Sequence, residues 1–131
     1  MLRKESERMA RTIELGGKID LEDFLAVVRD KAQVTFSEAY KARVNKSRAL
    51  VEQWVEEEKV MYGVTTGFGA LCTKAIDKDE TAQLQKNIIL SHSTSVGKPL
   101  SEETVRGTLL MVLQNLGQGY SGVRLEVLEQ Y

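Results

Sequence analysis

The segment from residue 102 to 117 constrains the fold most, because apolar side chains cover nearly the whole circumference of the helix that it predicts. Ser101 precedes it as a candidate N-cap, and Glu102 and Glu103 fall in the first turn, where acidic side chains favour the positive end of the helix dipole. The apolar residues are Val105, Leu109, Leu110, Met111, Val112, Leu113 and Leu116. Helices that are apolar all round are normally buried on every side. We therefore expect further protein, from the same chain or from partner subunits, to surround this helix.

Three earlier helices are predicted from apolar residues that repeat at helical spacing. They span about 20–30, 38–58 and 78–95. Each follows a side chain suited to capping a helix, namely Asp20, Ser37 and Asp77. Gly97 and Pro99 are predicted to stop the third helix. The chain is accordingly predicted to be mainly α-helical.

Two short segments predict a small β element beside these helices. Residues 12–15 precede a pair of glycines, and residues 33–36 combine β-branched and aromatic side chains, so we expect the two to pair. A glycine-rich break at 117–122 separates the apolar helix from the start of another helix at 123–131. Residues 1–10 are predicted to form a polar extension, and 11–131 the folded part.

Charge and composition exclude several classes of function. Eighteen basic residues nearly balance nineteen acidic ones, which gives no sign of a nucleic-acid-binding surface. No wholly apolar run is longer than that at 109–113, which is far shorter than the roughly 20 residues that cross a bilayer. Cys72 is the single cysteine, so no disulfide forms within the chain. We therefore predict a cytoplasmic protein without membrane or nucleic-acid partners.

The segment from residue 61 to 76 predicts a long loop with three glycines, Gly63, Gly67 and Gly69, within seven residues. Loops of this length are usually functional or disordered, and this one is too apolar for a disordered linker. Tyr62 lies among these glycines. A tyrosine in a loop is more often a packing residue than a catalyst, although flanking glycines would let it move into a pocket. The loop lacks both glycine-rich phosphate-binding patterns.

His92 is the only histidine, near the end of the predicted third helix. Such a residue is more often structural than catalytic. It has no second histidine to complete a zinc site, and serines adjacent to it in sequence point in other directions on a helix, so no metal site or serine triad is predicted. Cys72 is interpreted as a small packing residue.

Three segments, in this order, resemble the histidine, phenylalanine and tyrosine ammonia-lyases and the related aminomutases. They are YGVTTGFG at 62–69, LQKNIILSHSTSVG at 84–97 and GYSGVRLEVLE at 119–129. The likeness extends upstream through LEDFLAVV and NKSRALVEQWVEEEK. The resemblance implies the helical N-terminal domain of such an enzyme, with a glycine-rich active-site loop.

The resemblance also implies roles for individual residues. Enzymes of this family use a methylidene-imidazolone group, formed from an internal Ala-Ser-Gly triad, to capture an amino-acid substrate. Tyr62 would then act as the acid/base near the substrate β-carbon, Gly63 would lie beside it in the loop wall, and His92 would read the substrate side chain. Gly67 and Gly69 would be hinges of a loop that acts as a lid. Members of the family are homotetramers whose active sites draw on three subunits.

Several alternatives stay open at this point. Thr65 is more typical of phenylalanine and tyrosine enzymes than of histidine enzymes, whereas His92 is not typical of phenylalanine enzymes. Histidine and tyrosine are the leading substrates and phenylalanine a further one. An aminomutase, or a non-catalytic module that pairs with a split-enzyme partner, would carry the same segments. No Ala-Ser-Gly occurs in the 131 residues, so we expect a chain that ends before this triad and is inactive by itself.

Overall fold

The computed structural model describes residues 11–66 and 78–131, except for the side chains of 78–82. The described residues form two compact units, 11–48 with 99–131 and 49–66 with 78–98. The predicted polar extension at 1–10, the proposed helix cap Asp77, Cys72 and the proposed hinges Gly67 and Gly69 lie outside the described residues.

The first unit contains the small sheet that the sequence predicted. Strand β1 (Thr12–Leu15) pairs in parallel with β2 (Gln33–Phe36), with Ile13 opposite Val34. Parallel neighbours need a crossover connection, usually a helix. Helix α1 (Leu21–Val28) provides it, and the predicted pairing is confirmed.

The start of α1 is fixed by a reciprocal capping box. The Asp20 carboxylate accepts a hydrogen bond from the Asp23 backbone N–H at 2.8 Å, and the Asp23 carboxylate accepts one from the Asp20 N–H at 3.4 Å. The helix ends at Val28, two residues before the predicted end at residue 30. Lys31 just beyond has a φ of 58°, a left-handed conformation that cannot continue a right-handed helix.

Four further helices complete the described chain, which is mainly α-helical as predicted. They are α2 (Glu38–Glu56), α3 (Lys78–His92), α4 (Glu102–Leu116) and α5 (Leu125–Glu129). Helix α3 ends at His92, three residues earlier than expected. None of the helices within the described ranges combines the length and the apolar content that crossing a membrane requires.

The core of the first unit lies between the sheet and helices α1, α2, α4 and α5. Its buried residues are Ile13, Leu15, Ala26, Val27, Ala32, Tyr40, Val44, Leu110, Leu113 and Leu128. Helix α4 buries Gly107, Leu110 and Leu113 there, but Met111 keeps 52% of its surface exposed and Val105 40%. The described part of the chain thus covers α4 incompletely, and the expectation that further protein surrounds this helix stays a prediction.

Candidate functional site

Tyr62 lies in a tight turn of the second unit. The Met61 carbonyl accepts hydrogen bonds from the backbone N–H groups of Val64 at 3.1 Å and Thr65 at 3.0 Å. Gly63, directly after the tyrosine, has a φ of 71°, a conformation that glycine adopts without the steric cost a Cβ would bring. The glycine after Tyr62 therefore allows the chain to turn at this point.

Two buried threonine side chains hold the backbone of this turn. The Thr65 hydroxyl accepts a hydrogen bond from the Met61 N–H at 2.9 Å and donates one to the Lys59 carbonyl at 2.5 Å. The Thr66 hydroxyl accepts one from the Gly63 N–H at 3.3 Å. Thr65 is 8% exposed and Thr66 1%. The backbone on both sides of Tyr62 is thus bonded to side chains removed from solvent.

The phenol of Tyr62 itself is accessible, with 67% of the residue's surface exposed. Because the Tyr62 side chain is exposed while its backbone is held by hydrogen bonds, it could contact a molecule that binds from outside the unit. Its assignment as an acid/base stays a prediction, as does the placing of Gly63 in the wall of a substrate pocket.

His92 is the last residue of α3 and is also exposed. Its ring nitrogen Nδ1 lies 2.9 Å from the Ile88 carbonyl oxygen and 2.9 Å from the Ser91 hydroxyl oxygen. The Ser91 hydroxyl donates in turn to the same Ile88 carbonyl at 3.0 Å. The imidazole is therefore anchored through Nδ1 to its own helix, and its other ring nitrogen, Nε2, is the atom available to a ligand.

The structure places Tyr62 and His92 in the same unit, both accessible. That they face one pocket stays a prediction. A cavity of about 670 Å³ in the first unit is lined by residues of β2, α4 and α5, and neither Tyr62 nor His92 lines it. Within the described ranges, no group of three or more His, Cys, Asp and Glu side chains is arranged to hold a metal ion.

Sequence reasoning missed the residues that support this site. It treated Thr65 only as a marker of substrate type, and it gave no role to Thr66 or Ser91. Serine and threonine hydroxyls commonly bond to backbone groups a few residues away. Their positions beside Tyr62 and His92 were a usable signal, although which backbone group each one meets depends on the turn geometry.

Comparison with known protein families gives a match over most of the chain. The family model described as aromatic amino acid lyase matches residues 19–131. A histidine ammonia-lyase from Caldanaerobacter subterraneus subsp. tengcongensis is 46% identical over 121 residues, which are 92% of this chain and 24% of that protein. The chain thus spans about a quarter of the length of the curated relatives that it matches.

Solved structures of related enzymes have the same fold. The ergothioneine-degrading enzyme ergothionase from Treponema denticola superposes with a TM-score of 0.84 and 32% identity, over 92% of this chain and 24% of that one. A tyrosine aminomutase from Streptomyces globisporus superposes with a TM-score of 0.80 and 31% identity, over 92% of this chain and 23% of that one. Over most of its length the chain therefore shares its fold with these two enzymes.

Proposed function

We propose that this chain, which belongs to the aromatic amino acid lyase family, serves in the non-oxidative elimination of ammonia from L-histidine. The observation that carries the proposal is the 46% identity to a histidine ammonia-lyase over 92% of the chain. The accessible imidazole of His92 supports it, because an imidazole can hydrogen-bond the polar ring of a histidine substrate. L-Tyrosine, whose phenol offers a similar group, is the next candidate, and phenylalanine follows.

In this proposal Tyr62 moves the proton. The phenolate of Tyr62 takes the proton from the substrate β-carbon, and the electrons of that C–H bond form the new carbon–carbon double bond. The protonated α-amino group leaves as ammonia with the electron pair of the broken C–N bond. A tyrosine that acts as a base needs a pKa well below about 10. Positive charge and hydrogen bonds to the phenolate lower a pKa in this way. We expect other parts of the complete active site to supply them.

The family's methylidene-imidazolone group would supply the electrophile that captures the substrate. Its precursor, Ala-Ser-Gly, does not occur in these 131 residues, so none of them supplies its atoms. We accordingly expect a polypeptide limited to these residues to show no lyase turnover. The exposed apolar residues of α4, such as Met111 at 52%, support association with further protein, and we propose a homotetramer as the active assembly. Cytoplasmic location stays a prediction.

A second candidate function is the 2,3-aminomutase reaction, favoured by the similarity to a tyrosine aminomutase at a TM-score of 0.80. An aminomutase returns the ammonia to the β-carbon, so its product is a β-amino acid. A lyase releases the unsaturated acid and ammonia as final products. Product analysis therefore distinguishes the two.

The test joins these residues to an Ala-Ser-Gly-bearing remainder of an ammonia-lyase and follows unsaturated acid formed from L-histidine. Tyr62→Phe removes only the hydroxyl, and we expect kcat to fall about 10²- to 10⁴-fold, the usual contribution of general acid–base catalysis. Tyr120→Phe makes the same change at a residue that is 93% exposed in the first unit, and we expect no loss there. Undiminished turnover of the Tyr62→Phe protein would remove Tyr62 from the mechanism.

A further inference from the structure

Three polar atoms at the end of α3 form a closed triangle of hydrogen-bond distances. His92 Nδ1 is 2.9 Å from Ile88 O and 2.9 Å from Ser91 Oγ, and Ser91 Oγ is 3.0 Å from Ile88 O. The triangle is local, because all three residues lie within one turn of the same helix. The atoms at its corners restrict where the proton of a neutral His92 imidazole can lie.

The hydrogens in this triangle can be assigned by elimination. A backbone carbonyl only accepts, so the contact with Ile88 O requires a donor at Nδ1. The Ser91 hydroxyl has one hydrogen, which it donates to Ile88 O, and towards Nδ1 it can then only accept. Both neighbours of Nδ1 therefore require an N–H at that nitrogen. A neutral imidazole carries one N–H, so Nε2 is left with a lone pair.

We propose that Ser91 is a positioning residue that, together with the Ile88 carbonyl, holds neutral His92 in the Nδ1–H tautomer, so that Nε2 accepts a hydrogen bond from the substrate. The proposal rests on the proposed function, since it concerns how the same site binds the ring of its substrate. It narrows the substrate class to amino acids whose ring carries an N–H or O–H donor.

The position of the proton on His92 determines which kind of substrate ring this side chain can bind. With the proton on Nε2, His92 would donate and would select a ring with a bare nitrogen or another acceptor. With the lone pair on Nε2, the imidazole of a histidine substrate has to donate its own ring N–H. A phenyl ring offers no donor, and Nε2 would then be buried without a partner, at a cost that lowers affinity.

The first test is ¹⁵N nuclear magnetic resonance of the 131-residue chain in alkaline buffer. His92 is the only histidine, so a single imidazole gives both ring-nitrogen signals without assignment by mutation. We expect Nδ1 to show the protonated chemical shift and Nε2 the unprotonated one. An unconstrained imidazole in water favours the opposite tautomer, and a spectrum of that kind would overturn the proposal.

Two serine variants isolate the contribution of Ser91. Ser91→Ala removes one of the two acceptors of the Nδ1 proton, so we expect the Nε2–H fraction to rise. Ser93→Ala is the matched control, because the Ser93 hydroxyl donates to Ile89 O at 2.5 Å and this bond leaves the triangle untouched. Equal helical circular dichroism in the unmutated chain and in the two variants would show that the helix is retained. Equal tautomer fractions in the two variants would remove Ser91 from the positioning role.

A kinetic measurement links the tautomer to substrate reading. In the joined enzyme that tests the proposed function, Ser91→Ala is expected to raise KM for L-histidine by several fold with little change in kcat, since the residue orients a binding group. A loss confined to kcat would contradict the inference. The lyase function and the tautomer of His92 are tested independently. If the unmutated joined enzyme forms no unsaturated acid, the lyase function is rejected. The tautomer is measured from the spectrum whether or not the enzyme turns over.

Discussion

The aromatic ring of Tyr40 occupies the space beside Gly117 that any larger residue there would need. A Cβ placed on Gly117 would overlap Tyr40 Cε2. The Tyr40 hydroxyl donates to the Leu113 carbonyl at 2.7 Å, and the ring stacks on Phe36 with the two centroids 4.5 Å apart. The end of α4 thus packs against Tyr40 of α2, whose ring is held by a hydrogen bond and a stacking contact.

Gly117→Ala should destabilise the first unit. The φ of Gly117 is −65°, which alanine adopts readily, so the loss would come from overlap with the Tyr40 ring and not from backbone strain. Overpacking of this kind costs about 1–3 kcal/mol of unfolding free energy, measurable by urea denaturation. Gly17→Ala is the control, because no atom of the described residues lies within 4 Å of its added Cβ. Equal losses in the two variants would contradict the steric explanation.

Alkaline pH should weaken the fold through the same tyrosine. Burial raises the pKa of Tyr40 above its ordinary value of 10.0, and the nearby Arg43 partly offsets this by lowering it. The unfolded chain then loses the Tyr40 proton at a lower pH than the folded chain does. The stabilisation that this proton gives the folded state is therefore complete below pH 10 and is lost as the pH rises through the pKa of Tyr40 in the folded state. Tyr40→Phe should flatten that decline, whereas Tyr120→Phe, at a residue 93% exposed, should not. Stability curves recorded from pH 8 to 11 test this.

The starts of helices could be predicted from the sequence because capping is local chemistry. The Ser101 hydroxyl accepts from the Thr104 N–H at 3.2 Å, as a serine before two glutamates predicts. Helix ends were placed less well. Helix α2 ends at Glu56, two residues before the predicted end, and Glu58 beyond it has a φ of 50°. Non-glycine residues in this left-handed region have no distinctive sequence signal, because the surrounding structure imposes the conformation.

The residues of the candidate site were also only partly predictable from the sequence. Tyr62 and His92 were identified because they lie within segments that resemble a family, and such segments can be recognised in a sequence. Their supports, Thr65 and Ser91, act through hydrogen bonds to particular backbone atoms, Lys59 O and Ile88 O. Which backbone atom comes within reach depends on the course of the chain between the two residues, and the sequence pattern does not specify that course.

Thr65→Val should loosen the turn that carries Tyr62. Valine keeps the shape of threonine, but it leaves the Met61 N–H and the Lys59 carbonyl without the hydroxyl that now bonds both. Met61 is only partly buried and Lys59 is exposed, so water can partly replace the hydroxyl and each lost hydrogen bond costs about 0.5–1.5 kcal/mol. The Met61 amide should therefore exchange with solvent several-fold to roughly 10-fold faster, which hydrogen-exchange nuclear magnetic resonance measures. Thr65→Ser keeps the hydroxyl and should retain slow exchange. An unchanged exchange rate in the valine variant would mean that the hydroxyl does not hold the turn.

His92→Phe in the joined enzyme should shift preference towards phenylalanine. The variant replaces a hydrogen-bonding ring with an apolar one, so a histidine substrate would bury its own N–H unpaired while a phenyl ring would lose nothing. The ratio of kcat/KM for phenylalanine to that for histidine should rise about 10- to 100-fold, which corresponds to roughly 1.4–2.8 kcal/mol. His92→Gln, which retains a polar side chain, should shift the ratio less. Because His92 is exposed at the end of α3, both variants should keep the fold, so an unchanged ratio would show that another residue reads the substrate ring.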